Sequence, residues 1–170
     1  METNFLTCVT FTLAQEGGFT QDPRDPGGAT NFGITIKTLS AHRGETCTAD
    51  DVKALAMDEA EDIYHANYWR PTRGDALPPG LDLMNFDFGV NAGPMCANRI
   101  LQEALGVTAD GTIGPETLGA AQRCDPLAVL PKMASLQGGH YKQLANYAAF
   151  GKGWDARTDR RLARALQMAS

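Results

Sequence analysis

No stretch of this 170-residue sequence stays apolar for the roughly 20 positions that a membrane-spanning helix requires. Stable membrane insertion is therefore not expected. The first residues, Met1-Glu2-Thr3-Asn4-Phe5-Leu6, show neither the positive leader nor the apolar core of a Sec-type signal, so the expectation is synthesis in the cytoplasm. Histidine and cysteine are sparse and scattered. His42, His65 and His140, like Cys8, Cys47, Cys96 and Cys124, lie far apart, and no Cys-x-x-Cys pair exists. That pattern speaks against zinc ribbons and thioredoxin-like motifs and shows no metal constellation; the expectation is no metal and no cofactor. Without an export signal the cysteines read as free, buried thiols. Positive charge is also in deficit. Fifteen Lys and Arg against 20 Asp and Glu leave a net charge of -5, which conflicts with a nucleic-acid-binding helical domain. Repeats and low-complexity tracts are missing too.

What is present fits one globular domain, or one domain with two lobes. A chain this long buries roughly 70% of its unfolded surface and needs no covalent staples. The 18 glycines and 9 prolines cluster at 17–33 and 71–80, marking loops. Phe5, Val9 and Leu13 recur every four positions, so 3–16 reads as an amphipathic helix stopped by Gly17-Gly18. An irregular loop then leads to a short extended piece, a small hairpin, around Asn31-Phe32-Gly33-Ile34. Thr48 and Asp51 form a capping-box pattern for a short helix through Leu55. Residues 58–69 and 81–92 read as helices, separated by the Pro/Gly loop at 71–80. Pro94 opens a helix that Gly106 ends, and Pro115 opens another after the turn Asp110-Gly111-x-x-Gly114. The remainder reads as helix with breaks at Pro131, Gly138-Gly139 and 151–153. Basic residues gather near the C-terminal end at Lys152, Arg157, Arg160, Arg161 and Arg164. They are expected to form a solvated helix face or to meet an anionic polymer.

Glu16 is the residue that breaks a rule. The helical period places it beside the buried face in the last turn, where a structural helix would carry Lys or Arg. Burial and the negative end of the helix dipole both oppose its ionisation there. Those conditions suit a general acid; a purely structural Glu is the alternative. The glycine-rich run that follows, Gly17 to Thr35, holds Asp22 and Asp25. Glycoside hydrolysis needs an acid for the leaving oxygen and a second group for water or the sugar cation. Glu16 facing Asp25 would supply both, whereas Asp22 fits Asp-Pro turn chemistry. Asp87 and Asn91 are four apart and share a helix face, lining a sugar groove or holding a helix–loop contact. Tyr64 and Tyr68 have core spacing or offer a flat platform, and Trp69 beside the 71–80 loop is the preferred aromatic for a sugar ring.

The string from Glu16 to Thr35 resembles the signature of the glycoside hydrolase family 108 muramidases of phage endolysins and secretion-associated lysozymes. The similarity continues through Glu59-Ala60-x-x-Ile63-Tyr64, Tyr68-Trp69, Phe86-Asp87-Phe88-Gly89-Val90-Asn91-Ala92-Gly93, Leu101-Gln102-x-Ala104-Leu105-Gly106, Asp110-Gly111-x-x-Gly114-Pro115-x-Thr117 and Gly153-Trp154-x-x-Arg157. It covers nearly the whole chain in order. The eight residues between Glu16 and Asp25 also resemble the spacing in T4-type phage lysozymes. Thr30 sits one residue closer than the Thr of that pattern.

The resemblance implies a mainly α (α+β), lysozyme-like fold with a small β element and a substrate cleft between two lobes. It implies a catalytic muramidase region at 1–80 and a helical, peptidoglycan-binding-like region at 81–170, packed into one unit. The implied reaction is hydrolysis of the β-1,4 bond between N-acetylmuramic acid and N-acetylglucosamine. Glu16, Asp25 and Thr30 are the catalytic candidates; Asn31, Tyr64, Trp69, Asp87 and Asn91 are the substrate-binding ones. The expected partner is the peptidoglycan glycan strand, met by a monomer in the periplasm or wall after holin-type or other non-Sec release. Two other activities remain open at this point: a lytic transglycosylase, which needs only the one Glu, and a non-catalytic wall-binding module.

Overall fold

The computed structural model describes residues 2–21 and 28–170. The chain divides into two compact units, one of Val9–Asn67 and one of Met1–Cys8 with Tyr68–Ser170. Helix α1 (Glu2–Leu13) contributes to both. The architecture is mainly α, with one two-stranded antiparallel sheet among the described residues.

In the unit Val9–Asn67, α1 ends in a tight turn in which the Glu16 N–H donates to the carbonyls of Thr12 and Leu13 at 3.2 Å each. Thr20 then pairs with Thr30 through two backbone hydrogen bonds of 2.8 and 2.9 Å. Strands β1 (Thr30–Asn31) and β2 (Ile34–Thr35) form the hairpin, in register Thr30 to Thr35 and Asn31 to Ile34. Its two turn residues, Phe32 and Gly33, both have positive φ, 52° and 73°, the sign pattern of a type I′ connection. Helix α2 (Ile36–Arg43) follows directly, a helix the sequence reading leaves unassigned. Its signals are local: the Thr35 hydroxyl accepts from the Thr38 N–H, and Gly44 closes the end with φ 72°. The Thr48–Asp51 capping box opens α3 (Ala49–Lys53) as expected. Asn31 reaches across to donate to the Val52 carbonyl at 3.2 Å, tying the hairpin to α3. Helix α4 (Met57–Tyr64) buries Ala60, Ile63 and Tyr64 and runs on into a π-helical turn, His65–Trp69. Arg43 on α2 holds Glu59 on α4 in a bidentate pair at 2.7 and 2.8 Å.

In the other unit, α5 (Leu81–Ala92) is buried from Leu81 to Gly89. Its buried polar residues Asp82, Asn85 and Asp87 each have hydrogen-bond partners, and α6 (Pro94–Leu105), α8 (Pro126–Lys142) and α9 (Tyr147–Ala169) pack against it. Helix α7 (Pro115–Arg123) starts at Pro115. One aromatic cluster joins Phe5, Trp69 and Phe86, with centroids 5.3 and 5.4 Å from the indole. Another joins Phe88, His140, Tyr141 and Trp154.

The expected breaks at Pro131, Gly138-Gly139 and 151–153 do not occur; α8 and α9 run through them. Pro131 is exposed in the second turn of α8, and its lost backbone bond is outweighed by burial of Val129, Leu130 and Met133 around it. Gly151 is glycine for packing. A Cβ there would lie 2.6 Å from the Tyr147 ring, which rests against the helix.

Candidate active site

The end of α1 and the turn of the hairpin build one constellation. A side chain at Gly33 would place its Cβ 2.9 Å from Glu16 Oε2 and 2.9 Å from the Tyr64 hydroxyl. The carboxyl and the phenol thus sit over the same point of the turn, and the bare glycine makes room for both. Glu16 is half-buried, and Gly17, Gly18 and Gly33 beside it are exposed. Tyr64 is 2% exposed and donates to the Phe32 carbonyl at 2.8 Å. Its ring therefore offers no face to a ligand, and its hydroxyl pins the turn against the carboxyl. Chemically, the arrangement is a solvent-reachable carboxyl held beside a fixed hydroxyl, a geometry able to hand a proton to an approaching oxygen.

Thr30 lies in β1, half-buried, with its backbone committed to Thr20 and Thr35. Asn31 is 7% exposed and its amide is spent on Val52, so it braces the hairpin that presents Gly33. Asp25 lies outside the described residues, as does Asp22. Of the candidates, the structure brings Glu16, Thr30, Asn31 and Tyr64 together at the hairpin.

Trp69, Asp87 and Asn91 belong to the other unit. Trp69 is fully buried, wedged between Phe5 and Phe86, with Gly74 flat beneath the indole and the indole N–H donating to Asp75 at 3.0 Å. A ring so enclosed stacks on core partners, not on a sugar. Asp87 is also fully buried. Arg157 grips it at 2.7 and 3.1 Å and Arg161 at 2.6 Å. Burial by itself would raise the Asp87 carboxyl, but the two guanidiniums more than reverse that and hold it down at about 2. Arg161 continues the network to Gln137 at 2.6 Å, and Gln137 to the Met84 carbonyl at 3.0 Å. Arg157 and Arg161 thus turn inward, which corrects the expectation of a solvated basic face at these two positions. Asn91 is exposed and accepts a 3.4 Å hydrogen bond from Tyr141, which makes it a helix–helix contact.

Gln102, which the sequence shows only as part of a motif, and Asn98, which no motif includes, do structural work in this unit. Gln102 on α6 bonds Asp110, Thr112, Thr117 and the Gly111 N–H at 2.8–3.1 Å. Asn98 bonds the Pro71 and Gly111 carbonyls at 3.1 and 2.9 Å. A polar residue at a core position of an amphipathic helix was the available signal. Among the described residues, no three His, Cys, Asp or Glu side chains gather at metal-binding range. No helix there is long and apolar enough to cross a membrane.

The glycosyl hydrolase 108 family model matches residues 9–93, and a model described as a predicted peptidoglycan domain matches residues 96–159. The first match holds the Glu16–Gly33–Tyr64 constellation. Among solved structures the chain is similar to SagA of Brucella abortus, at 38% identity over 99% of this chain and 97% of that one, with a TM-score of 0.88. None of the curated proteins matches the sequence. The chain belongs to the glycosyl hydrolase 108 family, and its mainly α, lysozyme-like fold is the one its sequence leads one to expect.

Proposed function

We propose that this protein is a peptidoglycan hydrolase that cleaves the β-1,4 bond between N-acetylmuramic acid and N-acetylglucosamine, with Glu16 as the proton donor. The observation that carries the reading is the placement of the Glu16 carboxyl over Gly33 beside the Tyr64 hydroxyl. Membership of a glycoside hydrolase family and the peptidoglycan-domain match over 96–159 support the substrate class. In this reading Glu16 protonates the glycosidic oxygen as the bond breaks. Asp25 serves as the second carboxylate that steers water or steadies the oxocarbenium-like transition state. Thr30, on the strand beside the turn, is a further candidate to orient the water. The glycan strand of the cell wall is the partner.

Clearing of purified peptidoglycan by the wild type and by Glu16→Gln tests this, with mass spectrometry of the products. Gln keeps the size and removes the transferable proton. Clearing by the wild type, reducing-end muramic acid in the products and a dead variant are expected. Products ending in 1,6-anhydro sugar would show a lytic transglycosylase, which uses one carboxyl and no water. A Glu16→Gln variant as active as wild type would make Glu16 structural and overturn the assignment.

A further inference from the structure

Two cavities adjoin the segment that follows the π-helical turn, and both are lined by the same pair of arginines. One, of about 650 Å³, includes Arg70, Arg73, Asp75 and Gln122. The other, of about 460 Å³, includes Arg70 and Arg73 together with Met95 and the Gly111–Ile113 turn. Both arginine side chains are exposed. Among the described residues neither guanidinium has an ion pair or hydrogen bond, in a protein that otherwise carries excess negative charge.

The backbone around them is fixed. Arg73 is a non-glycine residue at φ 53°, ψ 38°, a conformation that costs about 1 kcal/mol and persists where its surroundings enforce it. Here the enforcement is visible. Gly74 lies flat against the buried Trp69 indole, and Arg73 bonds back to Arg70 and on to Ala76 through backbone bonds of 3.0 and 2.9 Å. Asn98, buried and itself held by Asn85 at 2.9 Å, ties the Pro71 carbonyl to the Gly111 carbonyl. The arginine segment and the facing turn are therefore one prebuilt wall, and a ligand entering it finds little to reorganise.

Two free guanidiniums in a preformed site favour anions that accept in pairs, as carboxylates and phosphates both do. Asp75 adds one carboxylate to the first cavity, with Oδ1 occupied by the Trp69 indole. With Asp75 lining the same cavity as the two arginines, the set fits a ligand that carries an amine beside its carboxylates, as a peptide does, better than a phosphate polymer, which offers Asp75 no donor. We propose that the paired cavities around Arg70 and Arg73 bind the carboxylate-bearing stem peptide of peptidoglycan. The identity of the ligand rests on the peptidoglycan reading above.

Calorimetry on the full chain tests it with three probes: a free stem tetrapeptide, the same peptide with its carboxylates amidated, and inorganic phosphate. The proteins are wild type, Arg70→Gln and Arg73→Asn, the last because Asn tolerates positive φ. Thermal unfolding of each confirms that it is folded. Binding of the tetrapeptide by wild type is expected to weaken tenfold or more in each variant and on amidation, with phosphate failing to compete. Unchanged binding in both variants, or no binding by wild type, overturns the proposal. Phosphate competing as well as the peptide overturns it too, in favour of a general anion site. Wall clearing is measured in parallel. Clearing without tetrapeptide binding sinks this proposal alone, whereas binding without clearing sinks the hydrolase reading alone.

Discussion

The Tyr64 hydroxyl donates to the Phe32 carbonyl at 2.8 Å, and the same oxygen lies over Gly33 alongside the Glu16 carboxyl. A single phenol on α4 thus sets where the hairpin turn stands relative to the carboxyl at the end of α1. Replacing Tyr64 by Phe removes that bond while keeping the buried ring. The loss of one net hydrogen bond should cost about 1 kcal/mol of stability. Activity should fall further, by roughly 10- to 100-fold, because small misplacements of a catalytic group are expensive. Denaturant unfolding and initial clearing rates check the two separately. If activity drops only as far as the folded fraction does, Tyr64 has no positioning role.

Gly33 and Gly138 make opposite predictions from the same substitution. At Gly33 the backbone has φ +73°, and an added methyl would press on both Glu16 and Tyr64. Gly33→Ala should therefore lose about 1–2 kcal/mol and most of its clearing activity. Gly138 lies within α8, and nothing stands within 4 Å of its missing Cβ. Gly138→Ala should stabilise by about 0.5–1 kcal/mol through helix propensity, with clearing unchanged. Melting temperatures of the pair decide the matter, and shifts of the same sign would contradict this account.

The contrast shows which features a sequence discloses. The Thr48–Asp51 box, Pro94, Gly106 and the hairpin at 30–35 are local devices, and each could be read where it stands. Glu16 stands out in the sequence because a carboxylate at a helix C-terminus runs against the dipole, and its carboxyl lies over Gly33 of the hairpin turn. Long-range partners do not stand out in this way. Asp87 and its arginines are 70 and 74 residues apart, so the motif containing Asp87 left a sugar groove and a structural contact both open, and its place as the anchor of a core could not be read locally. A hint existed: an Asp between two Phe in the middle of a helix, and two Arg spaced four apart. Trp69 misled for a similar reason, since its enclosure by Phe5 and Phe86 depends on helices distant in sequence. Pro131 and Gly138-Gly139 read as breakers because propensity is local, while the packing that overrides it is not.

Asp87 should be the most sensitive buried residue of the helical unit. Asp87→Asn leaves the Arg157 and Arg161 guanidiniums facing a neutral amide in the core. Breaking such a buried arrangement costs about 3–5 kcal/mol. The acid side follows from the lowered carboxyl at about 2. A group depressed below its unfolded value of 3.8 stabilises above that pH, and this contribution of about 2 kcal/mol fades as pH falls toward 2. The gap between wild type and variant should therefore narrow by about 2 kcal/mol in strong acid. A constant gap between their urea midpoints from pH 5 to pH 2 would refute the linkage.

Asp82 predicts a pH dependence of the opposite sign. Burial pushes its carboxyl up to about 6, against three hydrogen bonds that favour the ionised form, from the Leu83 and Gly80 N–H groups and from Asn4. A carboxyl raised above its unfolded value of 3.8 holds a proton in the native state that the unfolded chain has already released. Its contribution is thus fully present below about pH 4 and is lost as pH rises through about 6. The difference amounts to about 3 kcal/mol, from roughly two pKa units at 1.36 kcal/mol each. In Asp82→Asn the side-chain oxygen can still accept from Gly80 and Leu83, and the Asn4 amide need only turn over to present its own oxygen. The variant should be less stable than wild type or equal to it near pH 4, and should gain on it steadily up to pH 7. Unfolding free energies at half-unit intervals across that window give the test directly: a wild-type-minus-variant difference that falls with pH supports a buried, proton-holding Asp82, and a flat difference shows that the helix start keeps it ionised throughout.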